Sequence, residues 1–294
     1  MGQQVINGLF LGSIYALFAL GYTLVFGVLD ILNLAHAAVF MLATFVAVAL
    51  VGHGLHILLA LPLAVLFAGL MGLVLERVAF RPLRARTDSN ISGLISSLAA
   101  ATIIEAVVLE IWGPNITRFP FGTLPDGPAN QLRLFGGTVS RLQLTIIAVA
   151  VLLFLVLTWL VKGTRLGREV RAVAESPRAA RVLGVDVDRA IAASFFISSA
   201  LGGAAGVLYG LAFNSISPDM GRGVELKGLA VIILGGMGSM PGAVLAGFAL
   251  GLIEVFVVAN LGGSWRDAIS FAGLFLFLVL RPRGLLGAAV TREA

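Results

Sequence analysis

The chain contains no cysteine, which excludes a disulfide framework, thiolate metal sites and cysteine nucleophiles. Charge is scarce as well: Asp, Glu, Lys and Arg make up 12% of the residues, against roughly 25% in an ordinary soluble domain. Lys162 and Lys227 are the only lysines, and neither precedes Ser or Thr. The chain therefore has no G-x-x-x-x-G-K-[ST] phosphate loop and does not hydrolyse ATP by that route. The start, Met1-Gly2-Gln3-Gln4, lacks a basic n-region, and its apolar run continues past a signal-peptide core, so it is expected to persist as a first span. His53 and His56 lie three apart in a short connection. Two ligands without a nearby Cys, Asp or Glu fall short of a metal site, so no metal is expected. With no nucleophile–base arrangement at usable spacing either, a membrane enzyme has no support.

Apolar sequence fills the space these absences leave. Hydrophobic residues make up 59% of the chain, and stretches near 5–28, 36–52, 55–76, 91–112, 142–161, 190–212, 241–260 and 264–281 approach or exceed the ~20 residues that cross a bilayer. The expected fold class is an all-α polytopic membrane protein with about eight long transmembrane helices, forming a single transmembrane domain over 1–294. Its outer faces meet membrane lipid. The net charge of +5 sits in loops, where it speaks to topology and not to nucleic acid.

Orientation follows from counting cations loop by loop. Arg77, Arg81, Arg84 and Arg86 lie in the 77–90 loop; Lys162, Arg165, Arg168, Arg171, Arg178, Arg181 and Arg189 lie in 162–189; Arg281, Arg283 and Arg292 lie in the tail. The remaining connections hold Arg118, Arg133, Arg141, Arg222, Lys227 and Arg266. Fourteen against six makes the first group cytoplasmic. Parity then demands one more crossing between 213 and 240. The apolar candidate, Leu226 to Leu234, is too short for an ordinary span and runs into Gly235-Gly236-Met237-Gly238-Ser239-Met240-Pro241-Gly242. A broken or half-length helix near 224–238 solves the parity, because irregular backbone is tolerated at membrane depth where protein buries it or it lines an aqueous cavity. Gly27 to His36 forms a similar interruption in the first half, so the chain reads as two pseudo-repeated halves. Paired interruptions of this kind mark a substrate path, here placing Gly235, Gly236 and Gly238 along it. The plainer alternative is that such glycines only let helices pack closely.

Two further groups bear on that path. Glu105 and Glu254 lie mid-span, where burying charge is costly. Each either faces the path and meets a substrate ammonium group, or serves as structural glue, protonated or paired. Asn33 and His36 share a face if their segment is helical. His36 then gates or hydrogen-bonds substrate, or bonds a freed backbone carbonyl. On the external side, Asn214, Ser215, Ser217 and Asp219 form either a receiving surface or a solvated loop. The 113–141 connection, with Pro114, Pro120, Pro125 and Pro128, is expected to be an ordered excursion with short strands.

The basic 162–189 loop holds a signal of a different kind. Ser176 at an N-cap, Pro177 at the first helical position and Gly184 just past the end delimit a short helix. Ala179, Ala180, Val182 and Leu183 are expected to bury one flank, while Arg178 and Arg181, three apart, project together. A capped cytoplasmic helix with outward cations suits docking into another protein.

Several motifs stand in register along the chain. Asn7-Gly8-Leu9-Phe10-Leu11-Gly12-Ser13-Ile14-Tyr15-Ala16-Leu17 leads into Gly21-Tyr22-Thr23-Leu24-Val25-Phe26-Gly27. Asn33-Leu34-Ala35-His36, Glu76-Arg77-Val78-Ala79-Phe80-Arg81-Pro82-Leu83-Arg84 and Gly235 to Ala243 follow. In this order and spacing the chain resembles the permease subunit of Liv-type, high-affinity branched-chain amino-acid ABC transporters. It departs from them at Ala37, where the family often has Gly. The resemblance implies a subunit of an ATP-driven importer in a bacterial-type plasma (inner) membrane, working by alternating access. It implies a second homologous permease, two cytoplasmic ATPase subunits carrying ATP and Mg, and an extracytoplasmic solute-binding protein as partners. The chain itself then binds no cofactor. The ATPases would grip a coupling helix matched here by Gly167-Arg168, Ala179-Ala180 and Gly184. The implied substrate is leucine, isoleucine or valine, with urea or short amides as the alternative. An ion-coupled secondary transporter using Glu105 and Glu254 is a different class, and a docking helix argues against it.

Overall fold

A computed structural model describes residues 1–84, 89–120, 122–123, 131–134, 137–281 and 284–286. Arg86, Pro125, Pro128, Arg283 and Arg292 lie outside the described residues. Among the described residues, eight helices are long and apolar enough to cross a membrane. In chain order the elements begin with α1 (Gly2–Leu29), α2 (Ala35–Gly52), α3 (Ile57–Leu75) and α4 (Ser89–Trp112). A short hairpin follows, β1 (Gln131–Leu134) and β2 (Gly137–Ser140), in antiparallel register with Leu132 opposite Val139. Next come α5 (Arg141–Gly163), α6 (Arg165–Glu175), α7 (Pro177–Val182) and α8 (Val187–Phe213). The chain finishes with α9 (Met220–Gly235), α10 (Met240–Leu261) and α11 (Arg266–Leu280).

Burial ranks the helices. The most apolar windows of α1, α2 and α8 are 89%, 78% and 72% buried, whereas that of α11 is 6% buried. The first three form the centre and the others pack around them. Small residues explain the closest approach. Gly8 and Gly12 of α1 lie one turn apart, as do Gly247 and Gly251 of α10, and a Cβ at Gly251 would sit 2.4 Å from the Gly12 nitrogen. Lipid offers apolar helices no hydrophobic reason to associate, so backbone approach through small residues does the work. On the other side of the centre, a Cβ at Gly206 of α8 would fall 2.0 Å from the Phe40 carbonyl oxygen of α2.

A helix stands where the extra crossing was expected, and it is longer than the expected apolar stretch. Helix α9 begins at Met220 and has 16 residues, about 24 Å at 1.5 Å per residue, against a hydrocarbon core of roughly 30 Å. It ends at Gly236, where φ is +96, and a second positive φ of +85 at Gly238 completes the turn. Ser239 then caps α10, accepting from the Gly242 nitrogen at 3.2 Å, with Pro241 in the first turn. The connection between α4 and α5 holds the expected short strands, and the Thr117–Ile216 bridge joins it to the segment after α8. The Phe119 nitrogen also donates to Asn214 Oδ1 at 2.9 Å. Asn214 ends α8 in the left-handed region at φ 44; of the polar residues after α8 it is a structural clasp.

The ends of the bundle are distinct. At one end the starts of α1 and α11 and the ends of α8 and α10 surround a common cavity, and Gln3 accepts from the Thr138 nitrogen of β2 at 2.8 Å. At the other end the finish of α1, the Arg81–Arg84 segment, α7 and the start of α8 enclose a second cavity.

Candidate functional site

Helix α7 has the expected limits. The Ser176 hydroxyl accepts from the Ala179 nitrogen at 3.3 Å and Pro177 opens the helix. Gly184, at φ +82, closes it. The Val185 nitrogen donates to Ala180 O and the Gly184 nitrogen to Arg181 O, the paired bonds of a Schellman stop. The expected flank differs. Only Ala180 is buried, while Ala179 is exposed and Val182 and Leu183 are 88% and 80% exposed. A two-turn helix can press only one residue against the bundle, and the rest of its surface, with Arg178 and Arg181, faces outward.

Sequence reading missed the helix before it. In α6, Thr164 accepts from the Gly167 nitrogen at 3.1 Å, and Gly167, Val170 and Val173 face inward. The signal was the apolar spacing within a basic loop. A Cβ at Gly167 would lie 2.2 Å from the Val161 carbonyl oxygen, so only glycine permits the chain to fold back over the end of α5. Arg171 donates to that same carbonyl.

Beside α7 lies an arginine cage. Helix α3 passes into a single wider turn, Glu76–Phe80, and a 3-10 turn, Arg81–Leu83. Arg81 and Arg84 both reach Asp188 at the start of α8, at 2.9 and 3.0 Å. Arg84 also pairs with the buried Glu76. Burial pulls the Arg84 guanidinium below its ordinary pKa, and Asp188 opposes that shift. With Pro177 and Arg181 these residues line a cavity of about 510 Å³, so α7 adjoins the end of α3 and the start of α8.

The two interruptions meet. A Cβ at Gly27 would find the Gly238 Cα at 3.9 Å. Gly235 faces Gly242 so closely that a Cβ on Gly242 would lie 2.0 Å from the Gly235 oxygen. The carbonyls of Leu234 and Gly235 accept from the Leu285 and Leu286 nitrogens at 2.7 and 3.0 Å. Gly235 and Gly236 are thus packed by backbone, whereas Met237 and Gly238 are exposed. Asn33 and His36 do not share a helical face, because Asn33 precedes α2. Instead Asn33 Oδ1 accepts from the Ala35 nitrogen at 3.2 Å. His36 is enclosed: its Nε2 lies 3.2 Å from Phe18 O and its Nδ1 3.5 Å from Ser198 Oγ. A proton on Nε2 satisfies both. His53 and His56 are engaged locally, with Ala49 O and the Leu58 nitrogen.

Both acids are paired. Glu105 meets Arg222 at 2.5 Å, bridging α4 and α9, with the arginine side chain 70% exposed. Glu254, 1% exposed, takes three partners: Tyr15 donates at 2.7 Å, and Lys227 and Arg266 form ion pairs. Lys227 also reaches Asp267 at 3.2 Å. The charge count treated Arg222, Lys227 and Arg266 as loop cations; in fact Lys227 is buried inside α9 and both it and Arg266 serve Glu254. A mid-span acid implies a buried cation, and that signal would have found them.

Residues 4–280 match the family described as branched-chain amino acid transport system / permease component. The high-affinity branched-chain amino acid transport system permease protein LivH of Escherichia coli strain K12 is 35% identical, over 97% of this chain and 95% of its own. BraD of Pseudomonas aeruginosa, of the same description, is 33% identical over the same shares. The autoinducer 2 import system permease protein LsrC of an Enterobacter strain is 31% identical, over 83% of this chain and 69% of its own. No solved structure matches. A multi-pass helical bundle matched from its first span to its last leaves one assignment: the chain belongs to the family of branched-chain amino acid transport permease components.

Proposed function

We propose that this chain is one of two permease subunits of an ATP-driven importer for branched-chain amino acids. Partner ATPases, which carry ATP and Mg, drive alternating access by gripping α7, and an external binding protein delivers the solute. The observation that carries the reading is α7 itself. It is capped at both ends and seated through Ala180, and it offers Arg178, Arg181, Val182 and Leu183 outward. The arginine cage gives its motion a route into α3 and α8. The 77–90 and 162–189 loops and the C-terminus are then cytoplasmic, in a bacterial-type plasma membrane. Glu105 and Arg222 put charge on an exposed face of α4 and α9. Lipid does not accept such a face, so we place the second permease, or the water path between the two, against it. Asn33, His36, Gly235 and Gly236 form the packed hinge of that path, and Gly238 its exposed end.

The cluster at Glu254 speaks against the ion-coupled alternative. A coupling carboxylate must take up and release its cation, and Glu254 is already held by two fixed ones. The test is uptake into proteoliposomes holding the permease with its ATPases and binding protein. ATP-dependent leucine uptake is expected, falling at least about tenfold in Arg178→Glu/Arg181→Glu, since reversed charge at an interface costs several kcal/mol. The permease should remain folded in that variant. Uptake of urea in place of leucine would change the substrate, and uptake indifferent to ATP and to the variant would overturn the reading.

A further inference from the structure

A cavity of about 320 Å³ lies at the end of the bundle opposite α7, between the start of α1, the end of α10 and the start of α11. We propose that it is a binding site for a free, zwitterionic α-amino acid with an aliphatic side chain, a site the solute occupies between leaving the binding protein and entering the path. This rests on the amino-acid reading above and adds a place and a chemistry to it.

Three features of the wall match three parts of such a molecule. The carboxylate has Arg266. Its guanidinium carries five donors in a planar fork; among the described residues, Nε serves Glu254 and Nη2 serves Tyr15 at 3.2 Å. The remaining donors are available to a ligand carboxylate. The ammonium has Gln4, a wall residue whose Oε1 is covered in this structure and has no hydrogen-bond partner among the described residues, so that turning the amide toward the cavity gives up no bond. A buried acceptor without a donor costs about 1–3 kcal/mol, a cost that a ligand N–H would remove. Glu254, also in the wall, adds negative potential on the same side. The side chain has Leu11, Phe213, Val255 and Val258.

Charge balance points the same way. Lys227 and Arg266 face Glu254 and Asp267, two cations against two carboxylates. A net ion added here would be buried without compensation, whereas a zwitterion brings equal and opposite charges and leaves the balance intact. Urea has neither a carboxylate for the guanidinium fork nor a side chain for the apolar wall. The volume lies at the lower end of the roughly 300–1,000 Å³ typical of small-molecule sites, in keeping with a single amino acid. A neighbouring polar cavity of about 390 Å³ shares Gln3 and Asn7 and opens beneath β2, which gives the site a wet approach from that end.

The test uses the complete transporter in proteoliposomes and the diazirine analogue of leucine as probe. Irradiation is expected to label peptides carrying Leu11, Phe213 or residues 255–259, and excess leucine, not urea, should quench the labelling. Val258→Trp, which fills the cavity, and Gln4→Leu, which removes the acceptor at similar size, should each lower leucine uptake roughly tenfold, the value of one charged hydrogen bond. ATP hydrolysis stimulated by the loaded binding protein should persist in both, which a misfolded permease would not give. If Val258→Trp labels and transports as wild type does, the site is wrong while wild-type leucine uptake keeps the permease reading. If the wild-type assembly carries another solute and no leucine, the reading and the site fall together.

Discussion

At Glu254 a carboxylate sits 1% exposed in a helix long enough to span a bilayer, a placement that holds only because its neighbours were positioned to meet it. Tyr15 comes from α1, Lys227 from α9 and Arg266 from α11, so one side chain ties three helices to α10. Glu254→Gln leaves Lys227 and Arg266 facing a neutral amide. Breaking a buried pair from one side costs about 3–5 kcal/mol, so the SDS concentration that unfolds the protein should fall markedly. Adding Lys227→Met to that variant should recover part of the loss, because the uncompensated cation is gone; a purely additive double mutant would show that the two residues do not interact. The sequence exposed the acid at once, since nothing else in Leu252-Ile253-Glu254-Val255-Phe256 is polar. It hid the partners, because a tally of cations by loop gives Lys227 and Arg266 to the connections on either side of α10, and only tertiary packing brings both back to the same carboxylate.

Elements were legible wherever a local rule fixed them. All eight long spans lie within a few residues of their expected bounds, because length and hydropathy decide them. The limits of α7 were readable because Ser176, Pro177 and Gly184 each act on backbone within four residues. What it buries was not readable, since that depends on how α6 docks against α8. The same contrast governs the glycines. Gly251 of α10 and Gly223 of α9 look alike in sequence, yet a Cβ meets the Gly12 backbone at 2.4 Å in one case and nothing within 4 Å in the other. Backbone cannot yield as a flexible side chain can. Gly251→Ala should therefore separate α1 from α10 and lower the yield of monodisperse protein on size-exclusion chromatography, while Gly223→Ala elutes as wild type. Equal behaviour of the two would remove backbone approach as the cause of the α1–α10 contact.

For the whole molecule, parity connects the fold to its direction of work. Among the described residues, eight long helices and the short α9 give nine passages if each crosses the membrane once, an odd number that would put the start of α1 and the end of α11 on opposite sides. The cavities agree: the start of α1 shares one with the start of α11, and the finish of α1 shares another with α7. If the cation-rich loops face the cytoplasm, the amino-acid cavity opens outward and α7 inward, the sense an importer needs. The absence of cysteine allows a direct check, because a single introduced thiol has no background. In sealed right-side-out vesicles a membrane-impermeant maleimide should modify Gly52→Cys and Gly263→Cys, positions where an added side chain meets nothing within 4 Å. Val182→Cys, 88% exposed in the folded chain, should react only after the vesicles are opened. Modification of Val182→Cys from outside would invert the protein and place α7, the proposed docking helix, where no ATPase can reach, and the coupling argument would fail with the topology.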